Sequence, residues 1–183
     1  MNTEFIPIFR LLATGFLYPR SENTSPEFFN AIKELALHAG AETGGFSFDR
    51  DELAANYTRL FINSPGGVPA PPYASVYIAG QGLLMQDGHS QAYNFYQRAG
   101  LEPVSREEPC DFLAMELFFL AELLERDDFL LLSEFLNTHL NKWVPVFVQK
   151  VQSAETDSFY SLLSWLTLFY LRKLSEEDFD EAT

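Results

Sequence analysis

Apolar residues recur at three- and four-residue intervals along almost the whole chain, and no run of strict alternation interrupts them. That period belongs to helices that bury one face. Phe5, Ile8, Phe9, Leu12 and Phe16 form a first stripe, stopped by Tyr18-Pro19. Ser25-Pro26-Glu27 reads as an N-cap with proline in the first turn. Behind it Phe28, Phe29, Ile32, Leu35, Ala36 and Ala39 make a second stripe, closed by Gly40. Asp49 and Glu52 stand at capping-box spacing ahead of Leu53, Tyr57, Leu60 and Phe61. The expectation is an all-α fold, one domain over residues 1–183, packed as a bundle of about seven to nine helices.

The pattern breaks at residues 63–72, where four prolines and two glycines exclude a helix. A helix is expected from about Gln91 to Ala99, ended by Gly100. Ser105 and Glu108 form a second capping-box pattern, with Pro109 just inside a helix that should reach about Arg126. Another helix is expected from about Asp128 to Leu140, and Pro145 sits near the start of the next, which runs to about Gln152. Asp157 is placed to cap the last helix, whose stripe is Phe159, Leu162, Leu163, Leu166, Phe169 and Tyr170. The acidic residues 175–183 read as a frayed tail.

Charge narrows the partners. Twelve Lys and Arg against 26 Asp and Glu leave a net charge of −14. Nucleic acid needs a basic surface, so it is not expected as a partner. Stable membrane insertion is not expected either: residues 5–17 are interrupted by Arg10 and too short to span a bilayer. An acidic field steers basic peptides inward. Eighteen phenylalanines supply large apolar contact area for such a partner as well as for a core. Cys110 is the one cysteine, so no internal disulfide forms. The N-terminus lacks the basic region of a signal peptide, and the expected location is cytoplasmic.

No catalytic grouping emerges. His38, His89 and His139 lie far apart in sequence and make no metal-binding pair, so no metal is expected. Residues 40–47 echo a phosphate-binding loop faintly, but Phe46 stands where its lysine belongs. Cys110 lies near a helix start that would favour a thiolate, yet Glu107, Glu108 and Asp111 oppose one. Asp111 and Glu116 are five residues apart, roughly 140° around a helix, and do not suit an acid–base pair. Asp111 is expected in the first helical turn, favouring the helix dipole. Glu116 stands among Met115, Leu117, Phe118, Phe119 and Leu120, so it needs a partner: a tyrosine, an arginine or a backbone N–H from residues 71–77. Residues 71–77, Pro-Pro-Tyr-Ala-Ser-Val-Tyr, read either as a rigid linker plugging the core or as an aromatic edge for peptide docking.

Several patterns then occur in a fixed order. They are Tyr57-x-x-Leu60-Phe61, Pro71-Pro72-Tyr73-Ala74-Ser75-Val76-Tyr77, Tyr96-x-x-x-Gly100-Leu101, and Glu108-Pro109-Cys110-Asp111-Phe112-x-x-x-Glu116-Leu117-x-Phe119-Leu120. Phe135-Leu136-x-x-His139-Leu140-x-x-Trp143-x-Pro145-x-Phe147 and Phe159-Tyr160 follow. This set, from about residue 5 to 172, resembles the TorD/DmsD family of redox-enzyme maturation chaperones.

The resemblance implies a non-enzymatic cytoplasmic chaperone without cofactor. Its implied partners are the twin-arginine signal peptide and the apo-form of a molybdopterin oxidoreductase catalytic subunit, held until cofactor insertion and then released for export. The implied client-binding residues are Pro72, Tyr73, Ser75, Tyr77, Gly100, Asp111 and Glu116. A hinge near residues 102–111 is implied too, and with it a domain-swapped dimer beside a monomer. One position departs: the family's hinge motif carries Asp-His, and here the pair is Asp111-Phe112, so nucleotide binding is not carried over. The alternative from another class is a helical adaptor or regulatory subunit bound permanently in a redox-enzyme complex.

Overall fold

A computed structural model describes residues 2–42, 48–78, 84, 86–102, 108–155 and 158–177. The helices are α1 (Phe5–Gly15), α2 (Pro26–His38), α3 (Arg50–Tyr57), α4 (Ala74–Tyr77), α5 (Asp87–Arg98), α6 (Leu113–Glu125), α7 (Phe129–Phe135), α8 (Asn141–Ala154) and α9 (Phe159–Ser175). The fold is all-α. An isolated antiparallel bridge, Tyr73 to Phe112, is the extended pairing among the described residues.

Local chemistry sets most boundaries. Ser25 Oγ accepts from Phe28 N, and one Asp49 oxygen accepts from Asp51 N and Glu52 N. Gly40 ends α2 with φ at 77°, in the left-handed region that a Cβ disfavours. The expected Asp157 cap lies outside the described residues; Ser158 Oγ caps α9 by accepting from Ser161 N. Ser105, in the expected second capping box, is likewise outside them.

Three boundaries differ from expectation. The helix expected to open at Pro109 opens at Leu113. Residues 111–113 are drawn into an extended pairing with residues 72–74: Ala74 N donates to Asp111 O, and Leu113 N donates to Pro72 O. Asp111 therefore precedes the helix instead of lying in its first turn. Helix α5 starts at Asp87, before the expected Gln91, because its cap comes from another element. Finally, α7 and α8 are not separated ahead of Pro145. A π turn over Leu136–Leu140 joins them, and Pro145 sits inside the continuous helix.

That π turn and a second one, Thr58–Ile62 after α3, fall where buried residues repeat every four positions: 135, 139, 143, 147 and 53, 57, 61. In an ideal α-helix three such steps drift roughly 120° off the core face. A wider turn takes up that drift.

The longest packing seam is α1 along α6, with Arg10 paired to Glu125 at its end. Gly15 of α1 lies so close to α9 that a Cβ would stand 2.8 Å from Leu163 Cδ1. Helices α8 and α9 run antiparallel, joined by Gln152 donating to Ser161 O and Asn141 donating to Ser175 Oγ. Buried tyrosines tie elements together through their hydroxyls: Tyr57 donates to Phe16 O at 2.9 Å and Tyr96 to Cys110 O at 2.7 Å. Each such bond satisfies the phenol inside the core.

Candidate functional site

Asp111 and Ser75 form the hub of the site, and both are fully buried. Asp111 Oδ2 accepts from Ser75 N at 2.8 Å and from Ser75 Oγ at 2.6 Å. Ser75 Oγ in turn accepts from Gln86 N and His89 N, capping the start of α5 from outside that helix. Gly88 permits the approach: a Cβ there would lie 2.4 Å from Ser75 N. Residues 71–77, the first turn of α5 and residues 110–112 are thereby locked together.

Glu116, in the first turn of α6, is also fully buried. Its partners are not those expected from residue type. His139 Nε2 meets Oε1 at 2.7 Å, and Trp143 Nε1 donates to Oε2 at 3.1 Å. The π turn aims His139 at this carboxyl, and Gln91 Oε1 faces the other ring nitrogen at 3.3 Å. Burial raises the Glu116 pKa above its ordinary 4.5, opposed by His139 and by the Trp143 bond. Folding therefore favours the protonated carboxyl. The stabilisation is complete below 4.5 and declines as pH rises toward the raised value. Glu116→Gln does not titrate, so urea unfolding at a series of pH values should show a flatter stability profile above pH 4.5 than the parent.

Cys110 has a neighbour that the sequence did not show. Its Sγ lies 3.4 Å from His89 Nδ1, and the same nitrogen lies 3.5 Å from Asp111 Oδ1. This is not a nucleophile–base–orienter arrangement, because the ring nitrogen nearer the thiol is the one that faces Asp111, with Nε2 farther from Sγ at 3.9 Å. Burial, with Asp111 next, pushes the Cys110 thiol up to about 12, the reverse of an activated thiolate. Among the described residues no group of three side chains could hold a metal. Asp111 and Glu116 have no exposed surface, and their bonded oxygens face groups inside the fold.

Beside this hub an open groove of about 490 Å³ runs between the end of α1, the π turn at Thr58–Ile62, residues 72–73 and the start of α6. Tyr57, Phe61, Tyr73, Phe112 and Met115 line it, with Tyr18 and Ile62 more exposed at its mouth. The rings are mutually set: Tyr73 lies 5.4 Å from Phe112, Tyr18 5.4 Å from Tyr57, and Tyr57 5.0 Å from Phe61. Glu22, Glu108, Arg20 and Asn23 add polar groups. The Tyr73 hydroxyl donates to Glu108 Oε2 at 3.1 Å; burial and this carboxylate raise its pKa, so it remains a donor. A cleft of this size, apolar with a few placed polar groups, suits a short segment of ligand.

The residues expected at the site divide accordingly. Pro72 and Tyr73 line the groove. Ser75, Asp111 and Glu116 lie behind it as buried supports. Tyr77 stacks on Trp143 at 5.6 Å, donates to Pro71 O and carries Lys150 over its ring. Gly100 ends α5 with φ at 68°, next to Ala99, whose carbonyl accepts from Arg126 at the far end of α6. The structure does not bring Gly100 to the others. Sequence reasoning missed Tyr18, Ile62, Phe112 and Met115 as lining residues and His89, His139 and Trp143 as supports. Tyr57, Phe61, Phe112, His139 and Trp143 all stand in the ordered motifs, which marked them without giving their roles.

Comparisons with known proteins agree on a class. The family model described as nitrate reductase delta subunit matches residues 22–149. A chaperone protein TorD of Shewanella piezotolerans is 32% identical, with all of this chain and 96% of that protein aligned. The chaperone protein TorD of Actinobacillus succinogenes is 32% identical over 87% of this chain and 76% of its own length. A crystal structure described as that of a redox enzyme maturation protein from Archaeoglobus fulgidus superposes with a TM-score of 0.65 at 24% identity, covering 94% of each chain, and shows the same fold. The fold is all-α, and these relatives are chaperones. The chain belongs to the TorD family.

Proposed function

We propose that this chaperone binds the twin-arginine signal peptide of a molybdopterin oxidoreductase, the apo-form of its catalytic subunit, or both, in the cytoplasm, and supports cofactor insertion before export. The observation that carries the reading is the groove: aromatic walls fixed from behind, with Glu22 and Glu108 at its edge, in a chain of net charge −14. Such a surface attracts arginine side chains and offers the adjoining apolar residues a rigid bed. Tyr73 and Pro72 make direct contact. Ser75, Asp111, Glu116 and Tyr77 hold the wall in place. No bond of the client is made or broken, and the chain acts as a monomer or as a domain-swapped dimer.

Calorimetry with a synthetic twin-arginine leader tests this. Tyr73→Ala is expected to weaken binding about tenfold, the loss of one aromatic anchor, while the fold survives. Unchanged affinity would remove the groove from the account. Size-exclusion of a native lysate separates the chaperone from a permanent adaptor, since an adaptor elutes with the finished enzyme.

A further inference from the structure

Asp111 Oδ1 is buried and has no hydrogen-bond partner among the described residues, an unusual state for a buried carboxylate. His89 Nδ1 faces it at 3.5 Å, on an imidazole whose side chain is 26% exposed. Solvent protons therefore reach the ring while the carboxylate stays sheltered. The backbone N–H of the same residue is held by Ser75 Oγ, which donates to the other Asp111 oxygen. His89 thus touches both ends of the clasp joining α5 to the groove wall.

We propose that His89 is a proton-operated latch that fastens the start of α5 to residues 110–112 and so couples client affinity to pH. Imidazole is the side chain whose charge ordinarily changes between about pH 5 and about pH 8. A neutral ring leaves Oδ1 without a charged donor. A protonated ring supplies a charge-assisted bond and completes the carboxylate. Tyr73 and Phe112 flank the two halves of the clasp, so tightening it holds the groove wall in its binding form.

The other groups around the ring do not replace it. From residues 108–112, Cys110 and Asp111 face His89, and the thiol remains protonated with its pKa at about 12. Helix α4 offers the Ser75 hydroxyl, Tyr96 of α5 turns to Cys110 O, and His139 is engaged with Glu116 and Gln91.

The link to affinity rests on the groove being the docking site, and the test separates the two. Parent and His89→Gln are compared at about pH 5.5 and about pH 8 by urea unfolding, and by calorimetry with a twin-arginine leader free of histidine and carboxylates. The parent should bind about threefold to tenfold tighter at the lower pH and gain in unfolding midpoint relative to the variant, whose affinity stays flat. Glu116 titrates in both proteins and cancels. Equal pH responses of the two proteins overturn the latch. A midpoint response with flat affinity in the parent overturns the coupling. A leader bound at neither pH overturns the groove assignment, and the urea comparison then decides the latch alone.

Discussion

Glu116→Ala is expected to destabilise the fold by about 3–5 kcal/mol, more than any other single side-chain truncation at the site. The substitution strips two oxygens from the centre of the bundle and leaves the His139 ring nitrogen and the Trp143 indole N–H without them. His139 and Trp143 have no exposed surface, so water does not replace the lost carboxyl. Each stranded polar group costs about 1–3 kcal/mol, and a cavity adds to the sum. For a chain of this size a loss of that order lowers the melting temperature by about 10 °C. Calorimetric melting checks it. Glu116→Gln keeps the shape and one acceptor, and His139 shifts its tautomer to donate toward Gln91, so that variant should lose only about 1–2 kcal/mol. Equal losses in the two variants would show that packing, not the acceptor, is what Glu116 supplies.

Gly88→Ala is expected to cost about 3 kcal/mol, although alanine is the better helix former by about 1 kcal/mol. The added methyl would stand 2.4 Å from Ser75 N and 2.6 Å from Ala74 C. Both are backbone atoms and do not rotate away. The first turn of α5 must retreat, and with it the two N–H groups capped by Ser75 Oγ. Amide exchange should therefore quicken at Gln86 and His89 before the rest of α5, and leader affinity should fall with it. Gly40→Ala is the contrast. Among the described residues nothing lies within 4 Å of that position, and its strain comes from a φ of 77°, so the cost should be about 1 kcal/mol with no effect on the leader.

The helices were legible because burial of one face leaves its period in the residues. The stripes beginning at Phe5, Phe28 and Phe159 each became a helix with that face inward. The need of Glu116 for a partner was legible too, since an acid amid phenylalanines has few options. Its partners were not. His139 and Trp143 lie 23 and 27 positions away and reach it only through tertiary packing. The same holds for His89 beside Cys110, 21 positions apart. The late start of α6 was missed because a capping pattern near Pro109 competes with an extended pairing to residues 72–74, and that pairing is invisible until both segments are in place. The groove draws its lining from four separate stretches, so no local pattern announces it.

The widened turn at Leu136–Leu140 has a consequence for how this stretch tolerates change. It carries the extra residue that lets positions 135, 139, 143 and 147 share one inward line. Deleting one residue there would close the wide turn to an ordinary α turn, which keeps both flanks in register but moves His139 off its line to the Glu116 carboxyl. The length of this stretch therefore sets where the imidazole stands, as surely as residue identity sets that it is an imidazole.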